Sequence, residues 1–113
     1  MGREGKAVEN KVDRNAYTNS VNLVGRCSAA GIEKQLPSGD RVVEIRIIVA
    51  RDDDAGFDTF DVALWSSKLR KRALGLKSDE WIEVSGSLRR RFWRTGTAVA
   101  SRWQVEGREL RRV

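Results

Sequence analysis

The sequence predicts an all-β domain: a five-stranded, partly open barrel ordered β-β-β-α-β-β, with one short helix between the third and fourth strands. Three observations point there. Most of the chain alternates apolar and polar residues and is rich in Val and Ile, the signature of half-buried strands. One stretch alone has the helical period, and it falls between the third and fourth such segments. Glycines interrupt the first and fourth strands, where a barrel wall must bend. At 113 residues the chain supports one core, and a sheet of this size buries its apolar face most economically by closing on itself.

Residues 1–16 are polar, alternate in charge and follow neither period, so they read as a flexible arm preceding a domain over residues 17–113. The first strand, residues 20–28, places Val21, Leu23 and Cys27 on one face, with Gly25 marking a bend. Leu36-Pro-Ser-Gly-Asp40 is a turn, its Pro and Gly supplying the required backbone angles. The second strand, residues 41–51, turns Val43, Ile45, Ile47 and Val49 inward and leaves Glu44, Arg46 and Ile48 outside. A loop over residues 52–56 leads to the third strand, residues 57–65. The helix follows, with Ser66 as cap, Leu69, Ala73 and Leu76 as its buried stripe and Gly75 as its stop. A fourth strand over residues 81–93 carries Gly86 in its middle. Residues 94–97 turn the chain into a last strand over residues 99–110. This order is the oligonucleotide/oligosaccharide-binding (OB) arrangement, which by itself hosts several functions.

Composition removes several chemistries. With no His there is no imidazole base or ligand, and one Cys closes no intrachain disulfide and builds no thiolate cage. Cys27, on the apolar face, reads as a buried inert thiol. No apolar run approaches the ~20 residues of a membrane helix, and none follows the amino terminus as in a signal peptide, so a soluble cytoplasmic protein is expected. Asp52-Asp53-Asp54 lacks the ligand spacing of a calcium loop and reads as a solvated hairpin. Scattered carboxylates give no nuclease-like metal cluster, so no enzyme and no cofactor are expected. The net charge of +6 is uneven: residues 1–65 carry 9 basic and 11 acidic groups, residues 66–113 carry 13 and 5. A positive body of that kind attracts polyanions, phosphate backbones foremost.

The informative stretch is Leu88-Arg89-Arg90-Arg91-Phe92-Trp93-Arg94. On a strand Arg89, Arg91 and Trp93 share one face, with Leu88, Arg90 and Phe92 opposite, the apolar pair expected inward or toward a partner. Guanidiniums in a row with an indole suit single-stranded nucleic acid, since they neutralise successive phosphates while the ring stacks on any unpaired base. Trp65, Lys68, Arg46, Phe57, Arg102 and Trp103 are candidates to extend the row. Trp81, beside apolar Ile82, reads as core mass. Trp103 fits a binding or a core role equally.

These residues resemble the bacterial single-stranded DNA-binding (SSB) protein family. Asn19-Ser-Val-Asn-Leu-Val-Gly-Arg26 is similar to its opening strand and Leu36-Pro-Ser-Gly-Asp40 to its first turn. Val62-Ala-Leu-Trp65 with the basic helix resembles the third strand and helix entry. Val84-Ser-Gly-Ser-Leu-Arg-Arg-Arg-Phe-Trp93 resembles the fourth-strand signature, the most specific match, and Ser101-Arg-Trp-Gln-Val-Glu106 the closing strand. The resemblance implies an OB barrel that coats single-stranded DNA in replication, recombination or repair, as a homo-oligomer (a tetramer, or a dimer), in the cytoplasm on nucleoid DNA. It places Trp65 and Trp93 at stacking positions and Arg89 and Arg91 among the backbone contacts. Two departures bear on it. Asp52 to Asp54 stand with only Phe57 where members often carry further tryptophans, which implies weaker binding there. The sequence also ends at Val113 without the acidic tail through which replicative members recruit enzymes, so tail-mediated recruitment is not expected. Two other readings fit the same residues: a primosome-type OB accessory that also contacts a helicase, and an assembly subunit whose barrel meets protein rather than DNA.

Overall fold

A computed structural model of the chain describes residues 13–113. The arm expected over residues 1–16 lies outside them apart from its last residues, where Arg14–Ala16 forms one exposed 3-10 turn capped by Asp13. The strands are β1 (Val21–Cys27), β2 (Ile32–Gln35), β3 (Arg41–Ala50), β4 (Phe57–Leu64), β5 (Trp81–Thr95) and β6 (Ala98–Arg112). The helix α1 (Ser67–Leu74) lies between β4 and β5. The sheet runs β1-β5-β6-β4-β3-β2, and β1 pairs again with β3, through Arg26 with Ile48 and Cys27 with Ile47, to close the barrel.

The expected barrel is therefore present, with one strand more than the alternation predicts. That strand, β2, is exposed at every position and has no buried face to write a pattern. Its extended state comes from pairing with β3, residue Ile32 opposite Glu44 through Gln35 opposite Arg41, across the tight turn at Leu36 to Asp40. Gly39 in that turn has φ +95°, where a side chain would be strained.

The core follows the predicted alternation closely. Val43, Ile45 and Ile47 meet Val62 and Leu64, Ile82 and Val84, Val105 and Leu110, while Val49 packs at the margin. Cys27 is fully buried, and burial pushes its thiol up, leaving it protonated at neutral pH. Ser66 caps the helix by accepting from the Leu69 amide at 3.2 Å. Ala73 and Leu76 enter the core, with Leu69 packed against it.

The two mid-strand glycines serve close approach. A Cβ on Gly25 would stand 2.1 Å from the Ile48 carbonyl oxygen, where β1 crosses onto β3 to shut the barrel. A Cβ on Gly86 would stand 1.9 Å from the Glu106 carbonyl oxygen. Beside Gly86 the β5–β6 register shifts: Ser85 faces Glu109 and Gly86 faces Gly107, so Arg108 is the extra residue of a bulge.

β5 and β6 outrun the barrel. β1 pairs with β5 only as far as Gly86, and β4 touches β6 only at Val105 and Glu106. From Arg89 opposite Gln104 to Thr95 opposite Ala98 the two strands pair only with each other. At the root of this arm the Asn19 amide closes two hydrogen bonds with the Leu88 backbone, donating to its carbonyl at 2.7 Å and accepting from its amide at 2.8 Å.

Candidate nucleic-acid interface

Core residues occupy one parity of each strand, so the opposite parity builds the outer wall. On β3 that wall carries Glu44 and Arg46, and on β4 Asp61, with Trp65 just past its end. On β6 it carries Arg102, Gln104 and Glu106, and on β5 Arg89, Arg91 and Trp93. Arg91 is the hub: its guanidinium lies 4.8 Å from the centre of the Trp65 ring, and its Nη1 donates to Gln104 Oε1 at 3.4 Å. Trp93 stands two residues further along the same face, 44% exposed. Between this wall and the β2–β3 turn runs a groove of about 600 Å³, lined by Leu36, Pro37, Val42, Arg91, Trp93 and Gln104 among others.

The wall is positive but partly self-neutralised. Lys34 reaches Glu44 at 2.7 Å, Arg46 reaches Asp61 at 3.2 Å and Arg89 reaches Glu106 at 3.2 Å. Arg102 bridges Glu44 at 3.5 Å and Asp61 at 3.8 Å. Burial pushes the Glu44 carboxyl up, but the hydrogen bonds from Lys34 and Gln104 and the charges of Lys34 and Arg102 outweigh it, holding the group ionised below the usual range. Among the described residues, Arg91 is the cation on this wall with no carboxylate partner.

Of the residues predicted from sequence, Trp65, Arg89, Arg91, Trp93, Arg46 and Arg102 come together on this wall. Phe57 shares the β4 face of Trp65 but stands eight residues away, about 26 Å along a strand, under the Arg26 guanidinium at 5.6 Å. Lys68 projects from the first turn of α1, outside the groove. Trp103, adjacent to Arg102, points to the opposite face of the arm and is 56% exposed, which excludes the core reading. Trp81 is also not core mass: it is 55% exposed, because Ile82 takes the inward position and its neighbour must face out. Leu88 and Phe92 do not point into the core either, since the barrel has ended where they stand. Asp53 is engaged by Arg51 at 2.7 Å, and Asp58 by the same arginine at 3.5 Å, as a solvated, ion-paired hairpin.

Sequence reading missed Lys34, Val42 and Gln104. Val42 is buried under the groove despite its outward parity, and Gln104 ties Arg91 to Glu44. The alternation around Arg102 placed Gln104 on the same face as the arginine, so that signal was present; for Lys34, on the unanticipated β2, it was not.

No family model matches the chain, and no curated protein matches it by sequence. Among solved structures it is similar to an SSB of Plasmodium falciparum in complex with single-stranded DNA, at a TM-score of 0.67 and 20% identity. The match covers 86% of this chain and 96% of that one. The barrel thus has the OB fold.

Proposed function

We propose that this protein binds and coats single-stranded DNA, largely without sequence preference, in replication, recombination or repair. The observation that carries the reading is the outer wall on which Arg91 stacks on Trp65 and, with Trp93 two residues along, lines the groove. The second face of the Trp65 ring and the open face of Trp93 each take an unpaired base, and Arg91 between them meets the intervening phosphate. Stacking asks nothing of base identity, and a duplex hides the faces it needs. The likeness to a structure whose partner is single-stranded DNA supports the same assignment. We place the protein in the cytoplasm and expect a homo-oligomer, which a solution mass measures directly.

The test is a titration with poly-dT, duplex DNA and RNA at two salt concentrations, followed by tryptophan fluorescence. Strong quenching by poly-dT, resistant to duplex competitor, is expected. Trp93→Ala should weaken binding about 5- to 150-fold, the equivalent of ~1–3 kcal/mol per stacked base. Unquenched fluorescence, or a Trp93→Ala variant that binds as tightly as the parent, refutes the stacking mechanism.

A further inference from the structure

We propose that Arg70, on α1, is a positioning residue for DNA binding: it fixes Trp65 for stacking without touching the strand itself. This inference rests on the function proposed above. Trp65 stands where the chain has left one element and not yet entered the next, since the β4 ladder ends with Leu64 opposite Val43 and α1 begins at Ser67. Its carbonyl lacks the usual helical donor too, because the Leu69 amide is taken by the Ser66 hydroxyl at 3.2 Å. Arg70 fills the gap from within the first turn. Its amide donates to the Ser66 carbonyl at 2.9 Å, and its guanidinium Nη1 donates to the Trp65 carbonyl at 2.5 Å. A charged donor on a part-buried carbonyl is a strong tie, and it acts on the backbone that carries the ring.

Two guanidiniums therefore hold one residue in different ways: Arg91 lies 4.8 Å from the ring centre, and Arg70 grips the main chain. Their roles differ. Arg91 lines the groove, whereas Arg70 does not; the Arg70 side chain is 23% exposed, and its Nε lies 3.8 Å from Glu33 on β2. The Gly31 amide also donates to the Ala73 carbonyl at 3.1 Å, so α1 meets the β2 segment twice. β2 leads directly into the Leu36 to Asp40 turn that forms the other lip of the groove. One helix thus sets the stacking ring on one side and the strand feeding the opposite lip on the other. A ring held before DNA arrives has little freedom left to lose on stacking. A ring on an unclamped linker must be ordered at that moment, which weakens affinity about two- to ten-fold.

The test is a double-mutant cycle with dT35 as the probe. Arg70→Met keeps a long stem and good helix propensity while deleting the donor. In the parent background it should lower dT35 affinity about two- to ten-fold and leave the log–log salt slope unchanged. In a Trp65→Ala background it should lower affinity no further. A second readout needs no DNA. Trp81→Phe, Trp93→Phe and Trp103→Phe leave Trp65 as the one tryptophan, and adding Arg70→Met should lower its anisotropy and shift its emission to the red. If Arg70→Met melts early, Arg70→Lys, which keeps the charge but shortens the reach, goes through the same cycle. Unchanged Trp65 anisotropy, or unchanged dT35 affinity in a parent that binds, overturns the clamp. Equal losses in both backgrounds, with the slope lower by ~0.7, overturn it in favour of Arg70 meeting a phosphate itself. If the parent fails to bind dT35 at all, the proposed function falls, and the anisotropy alone decides whether Arg70 holds Trp65.

Discussion

Removing acids from the outer wall should tighten DNA binding. Glu44 and Asp61 between them hold Lys34, Arg46 and Arg102 within 4 Å, so three of the wall's cations are engaged before any phosphate arrives. Glu44→Gln/Asp61→Asn keeps the shapes and most of the hydrogen-bonding capacity but deletes both charges. Each cation released to a phosphate of a single strand adds ~0.7 to the salt slope, which at ~0.1 M salt corresponds to a roughly five-fold gain in association constant. Three released cations set a ceiling of ~2 in slope and roughly 100-fold in affinity at that salt. Glu44→Gln alone leaves Arg102 on Asp61 and frees chiefly Lys34, so it should deliver about one step of that series. The assay is fluorescence titration with dT35 at three salt concentrations, with a thermal melt to show that the fold persists. A folded double variant whose affinity and slope match the parent's would mean that DNA does not run along this wall, and the assignment of Arg46 and Arg102 to it would be withdrawn.

Gly25→Ala drives a methyl group against the Ile48 backbone at the barrel seam and should destabilise by about 3 kcal/mol or more, read as a drop in denaturant midpoint. Ser66→Ala removes the cap on the Leu69 amide and should cost about 1 kcal/mol in the same assay. Because the folded state holds the Glu44 carboxyl below its ordinary value of 4.5, the stabilisation is complete above that pH and is lost as pH falls through the depressed folded value. An acid melt should therefore show a stability loss that Glu44→Gln reduces. Asn19→Ala, which leaves the Leu88 amide and carbonyl without their clamp, should raise hydrogen exchange at the root of the arm before the barrel core is affected.

What could be read from the sequence was whatever one element writes in its own residues. The helix was legible from Ser66, Leu69, Ala73, Leu76 and Gly75 because cap, stripe and stop are local. The inward set of β3 was legible because strict alternation admits no other face. β2 was not, since its strand state is conferred by β3. Trp81 departs from expectation through its neighbour: adjacency to Ile82 suggests a shared environment, whereas on a strand it means opposite faces, and for Trp103 the sequence leaves two roles open of which exposure removes the core one. The groove residues assembled from four strands depend on cross-strand register and on the Arg108 bulge, and neither is written in any single segment.

Strand length decides more of this surface than residue type does. Leu88, Phe92 and Trp103 have the parity of Val84 and Val105 and would be core residues in a barrel that continued under them. The β1 and β4 pairings end first, so the same parity that buries Val84 leaves Phe92 and Trp103 wet. The acids stop at the same boundary: Glu44 and Asp61 sit on barrel strands, Glu106 at the root of the arm, and none lies beyond it. The positive field therefore strengthens from the barrel toward the arm, where the guanidiniums are uncompensated. Under the proposed function, a polyanion approaching by diffusion is drawn first to the arm, where Trp93 stands near the tip, and reaches Trp65 beside the barrel through Arg91. Raising the ionic strength should accordingly slow association more than it speeds dissociation, and stopped-flow quenching measured at two salt concentrations separates the two rates.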